Sequence, residues 1–157
     1  MTVSIDRAAP SEGRGRARRA VTPEPTAPPR VARVFDGCSD GKPWFAAARP
    51  LVVDERERAE LLALLATGTP LLRSAALRDA VTGEESAVPA GLRSDGVWIW
   101  SDASAYYVDQ HWIAPDPELV AHLRVSGEPT PVDAPTRRRL YAALRPDNWE
   151  STTWPLA

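Results

Sequence analysis

The 157-residue chain predicts an α+β fold: a small antiparallel sheet with about four helices packed against it, behind a disordered N-terminal tail. Two observations carry that prediction. Strand-like runs come early and in the middle of the chain, while helical runs crowd its second half, an order that suits α+β rather than alternating βαβ units. The clearest strand, VWIW at 97–100, is apolar at every position, whereas a sheet covered on one side only would show polar residues at alternate positions. Hydrophobic residues at 43% and charged residues at 25% are ordinary for a folded domain. The length suits one domain plus a tail.

Residues 1–30 hold Arg14, Arg16, Arg18 and Arg19 among glycines and alanines, followed by four prolines between Pro23 and Pro29. Few apolar side chains are present to offset the entropy of ordering, so this stretch is read as a disordered tail and residues 31–157 as a single domain. VARVF, from Val31, reads as a first short strand. The turn-rich DGCSDGKP that follows approaches a phosphate loop with Gly37, Gly41 and Lys42. Its glycine spacing is one residue short, however, and Pro43 stands where Ser or Thr would hold magnesium. A nucleotide loop is excluded.

VVDERERAELLALLATG carries the strongest helix signal. Asp54 is the N-cap, Glu57 stands three residues on as in a capping box, and Gly68 is a natural stop. Leu61, Leu62, Leu64 and Leu65 give it one broad apolar face. TPLLRSAAL and SAVPAGLR read as extended segments about a TGEE turn, with Pro89 placing the second at a sheet edge or a bulge. Asp95-Gly96 then supplies a tight turn into VWIW. Ser101 caps a helix running to about His111. Asp116, Pro117 and Glu118 start another, ended by Gly127. APTRRRLYAALRP gives a last helix with Leu140, Tyr141 and Leu144 on one side, stopped at Pro146. Of the tail's Trp149 and Trp154, at least one is expected to pin the C-terminus to the body.

The totals exclude several function classes. A net charge of −2 lacks the basic excess of a nucleic-acid binder, leaving the arginine-rich tail as the one segment suited to that role. No window approaches the roughly 18 apolar residues of a membrane span, and the N-terminus lacks the apolar core of a secretion signal. Cys38 is the only cysteine, so neither an internal disulfide nor a cysteine-based zinc cluster can form. A cytoplasmic protein without a cofactor is the expectation.

Residues 94–112, SDGVWIWSDASAYYVDQHW, concentrate the aromatic side chains. Alternation puts Val97 and Ile99 on one sheet face and Trp98 and Trp100 on the other, so either helices cover both faces or the tryptophan face meets a partner. In the following helix, turning about 100° per residue groups Ser104, Tyr107, Val108, His111 and Trp112, with Tyr106 among polar residues on the opposite side. His111, Glu118 and His122 can be assembled into a two-histidine, one-carboxylate metal set, though no HExxH signature supports it. No G-x-S-x-G elbow anchors a serine triad.

The run from Leu71 to Leu123 resembles a group of small actinobacterial proteins. They share a short strand, DG-x-W-x-W, a tyrosine pair, a histidine and P-x-P-E-L leading into a helix. In this chain the pattern is Asp95-Gly96, Trp98, Trp100, Tyr106-Tyr107, His111 and Pro115 through Leu119. The resemblance implies no particular activity. Where it implies glycine after the histidine, this chain has Trp112. Small bacterial proteins of this texture resemble immunity proteins or accessory partners of toxin and secretion loci. A strand with two apolar faces, in a chain without a coherent catalytic set, makes binding and occlusion of another protein the expected function, through Trp98, Trp100 and Tyr106 with arginines, residue types that anchor interfaces. The alternative is a small metal-dependent or hydrolytic enzyme using His111, Glu118 and His122.

Overall fold

The computed structural model describes residues 27–127 and 131–144. The expectations for the arginine-rich tail up to residue 26, for Pro146 and for Trp149 and Trp154 lie outside the described residues. Four strands form one sheet in the order β1-β6-β5-β4: β1 Arg30–Val31, β4 Thr69–Leu72, β5 Leu92–Ser94 and β6 Trp98–Ser101. A two-stranded hairpin, β2 (Gly37–Ser39) and β3 (Lys42–Trp44), stands apart from it. The helices are α1 (Glu55–Leu65), α2 (Asp102–His111), α3 (Pro117–Val125) and α4 (Ala134–Ala143). The α+β class is as the sequence predicts.

The sheet is mixed rather than antiparallel. β1 runs parallel to β6, with Arg30 opposite Trp98 and Val31 opposite Ile99. Parallel neighbours need a long crossover, and everything from Ala32 to Val97 provides it here. The stretch read only as a turn, DGCSDGKP, is a hairpin. Asp40 and Gly41 have φ of 51° and 73°, the two left-handed conformations that a two-residue type I′ turn requires. Pro89 precedes β5 instead of interrupting a strand, and the irregularity falls in β4 between Pro70 and Leu72. That edge is blunted further by Tyr141, whose hydroxyl donates to the Leu71 carbonyl at 2.6 Å.

Local signals set the helix starts. Asp54 accepts from the Glu57 amide at 2.8 Å, Ser101 from Ala103 at 3.0 Å and Asp116 from Glu118 at 3.0 Å. The Glu57 carboxylate faces Arg124 of α3 across 3.7 Å, so it ties two helices together.

Helices cover both faces of β6. Trp98 and Trp100 pack with Leu61 and Leu65 of α1, Val108 of α2, and Leu119 and Leu123 of α3. Ile99 packs on the other side with Leu71, Leu92 and Leu140 of α4. A third cluster joins Val34, Phe35, Val88, Ala103, Tyr107 and Ile113 beside the hairpin. The Trp100 indole N–H donates to the Leu65 carbonyl at 2.9 Å, so even its polar atom is satisfied inside.

Candidate interaction surface

Burial corrects the expected contact set. Trp98 is 4% exposed and Trp100 is 1% exposed, so neither ring is available to a partner. Arg30 closes over Trp98, its guanidinium carbon 4.4 Å from the ring centroid, while also pairing with Glu118. Tyr106 is half-buried, because residues 77–88 fold across the helix face that helical periodicity assigned to solvent. Its hydroxyl donates to Asp79 at 2.9 Å.

Asp79 is the centre of that arrangement, and nothing in its sequence neighbourhood marks it beyond an aspartate before a turn. It is 1% exposed. Its Oδ2 receives His111 Nε2 at 2.6 Å as well as Tyr106, and its Oδ1 receives the amides of Val81 at 2.7 Å and Thr82 at 3.3 Å. The Tyr107 hydroxyl accepts from the Ala80 amide at 3.0 Å. Burial alone would push the Asp79 carboxyl up. Donation from Val81, His111, Tyr106 and Thr82 more than reverses this and holds it at about 2. Burial and the Asp79 charge raise both tyrosines, Tyr107 to about 12. The cluster fastens a loop to α2. A cavity of about 320 Å³ lies beside that loop, lined by Lys42, Pro43 and residues 78–83 without His111, so the imidazole faces no substrate space there.

The alternative metal set is scattered in the same way. His111 is bound to Asp79, His122 to Asp95 at 2.5 Å, and Glu118 to Arg30. Among the described residues no group of three or more His, Cys, Asp or Glu side chains is placed to hold a metal ion. Ser126 lies 3.0 Å from His122, but on the same Nε2 that meets Asp95. A relay needs the acid and the nucleophile on different ring nitrogens, so this trio is not a catalytic triad.

The exposed aromatic of the stretch is its last residue. Trp112 caps α2 with φ 59° and ψ 17°, a left-handed conformation that costs a residue with a side chain roughly 1–2 kcal/mol. This is the position where the resemblance implies glycine. The left-handed turn also takes Trp112 off the helical face shared by Ser104, Tyr107 and Val108, which are buried. The residue is 47% exposed, and its ring lies under the Arg58 guanidinium, 5.4 Å from carbon to centroid. The chain from Pro50 to Val52 runs antiparallel beside it: Val52 donates to the Trp112 carbonyl at 2.6 Å and Ala114 to the Pro50 carbonyl at 3.0 Å. Leu51 and Val53 flank buried Val52 and are 57% and 71% exposed. A cleft of about 290 Å³, bordered by Arg33, Ala46, Ala48, Pro50 and Ala114, opens at the Pro50 end.

Sequence reasoning missed Leu51, Val53 and Arg58. The available signal was the apolar pair straddling Val52 just ahead of the Asp54 cap. Among the described residues, no helix is long and apolar enough to cross a membrane. No protein-family model, curated protein or solved structure matches this chain.

Proposed function

We propose that this is a protein-interaction domain that binds and occludes a protein partner, in the manner of an immunity or accessory protein, through Trp112, Arg58, Leu51 and Val53. The observation that carries the reading is Trp112. A large aromatic occupies a backbone conformation that favours glycine and remains about half exposed. Strained backbone positions of this kind concentrate at functional sites, and Trp and Arg are the residue types that most often anchor interfaces. The engagement of His111, Glu118 and His122 with separate partners favours binding over catalysis. Cys38 is exposed and unpaired among the described residues, which suits a reducing compartment such as the cytoplasm.

A photo-cross-linking residue placed at position 53, where Val53 is 71% exposed beside Trp112, in cells that make the protein, tests the proposal. It should yield one discrete protein adduct that Arg58→Glu abolishes and excess unmodified protein suppresses. The same residue at position 125, where Val125 is 82% exposed, should yield none. Equal labelling from both positions, or none from 53, refutes the assignment.

A further inference from the structure

We infer that the Leu51–Val53 edge accepts an extended segment of the partner as an added β-strand; this rests on the reading of the Trp112 surface as an interface. The backbone carries the argument. Leu51 is opposite Ile113 in an antiparallel bridge, and the hydrogen bonds to residues 112 and 114 come from Val52 and Pro50 on either side of it. In such a pair the N–H and C=O of alternate residues point in opposite directions. Those of Leu51 and Val53 are therefore directed away from Trp112–Ala114. Among the described residues no backbone hydrogen bond engages them. An edge with unsatisfied donors and acceptors and apolar side chains is the template that strand addition uses.

The surroundings define the occupant. At one end of the edge lies the cleft walled by Ala46, Ala48 and Ala114, with Arg33 at its border. Both arginines at that border already have carboxylate partners: Arg49 is engaged by Asp36 at 2.8 Å and by the Ala114 carbonyl at 2.9 Å, and the Arg33 guanidinium lies 3.9 Å from Asp116. At the other end Arg58 lies over Trp112. An extended peptide with an apolar side chain for the cleft and an acidic residue for Arg58 complements this strip. Main-chain hydrogen bonds would provide affinity and the cleft would select the side chain.

The test uses a phage-displayed library of random peptides about a dozen residues long, selected on the full chain. Selected peptides should combine apolar and acidic residues, and their binding should be lost in Trp112→Ala. Leu51→Pro removes the outward N–H. It leaves intact both bonds to residues 112 and 114, since those use the Val52 amide and the Pro50 carbonyl. It should weaken binding about tenfold more than Leu51→Ala, which keeps the amide, as expected for one main-chain hydrogen bond. In case Leu51→Pro does not fold, amide exchange on the unmodified protein gives a second readout. The Leu51 and Val53 amides should become protected when peptide is bound, and unchanged exchange there overturns strand addition. Binding that needs Trp112 but is equal in Leu51→Pro and Leu51→Ala overturns strand addition and leaves the interface standing. A library that yields no Trp112-dependent binder overturns both.

Discussion

Replacing Asp79 with asparagine perturbs one charge at nearly constant volume. The carboxylate is 1% exposed and receives four donors within 3.3 Å. An amide has one acceptor oxygen. With that oxygen on the Val81 and Thr82 amides, its NH₂ meets the Tyr106 hydroxyl and His111 Nε2, which keep a bond only by accepting instead of donating, and the charge that strengthened all four bonds is gone. The Asp79 carboxyl lies at about 2 against an ordinary value of 3.8. At 1.36 kcal/mol per pH unit, that difference corresponds to about 2 kcal/mol of stability at neutral pH. Because the folded value is the lower one, the contribution is complete above about pH 4 and fades as the pH falls toward 2. Urea unfolding of both proteins at pH 7, 4, 3 and about 2 reads this directly. The wild type should exceed Asp79→Asn by about 2 kcal/mol or more at pH 7, and the gap should narrow steadily below pH 4. A gap that is absent at pH 7, or unchanged at pH 2, refutes the claim that the ionised carboxylate holds residues 79–84 to α2.

Two further predictions concern the core. Trp100→Ala should destabilise the fold by roughly 3–5 kcal/mol, and Trp98→Ala similarly, whereas Trp112→Ala should cost clearly less because that residue is already about half exposed; thermal unfolding ranks the three. Gly68→Ala should be destabilising by about 1–3 kcal/mol, because a methyl there would lie 2.4 Å from Trp100 Cζ2; a melting temperature at or above wild type would show that the indole yields without cost.

The elements that could be read from the sequence are those whose physics is local. Asp54, Ser101 and Asp116 cap helices within three residues of themselves, and each cap is where side-chain chemistry puts it. VWIW announced a strand apolar on both faces for the same reason: alternation fixes which residues share a face without reference to the rest of the chain, although Val97 lies outside β6 and is 44% exposed. The type I′ hairpin was equally local. Its Asp40-Gly41 signal stood in the sequence, although strands of three residues gave it no flanking pattern.

The tertiary structure decided what covers what. Apolarity on both faces of β6 was compatible with a partner or with more of the same chain, and only the packing of α1, α2 and α3 placed Trp98 and Trp100 inside. Asp79 meets Tyr106 across 27 residues and His111 across 32, a contact made by the path of a loop that carries no periodicity. That loop overrode the helical pattern that had turned Tyr106 to solvent. Trp112 left the apolar face of its helix because a left-handed residue breaks the rotation on which the face was drawn. The sequence by itself determined the elements and the apolar demand of the central strand, since propensity, capping and alternation act over a few residues. Which aromatics met that demand and which stayed at the surface depended on contacts between residues far apart in the chain, and short-range patterns do not encode those.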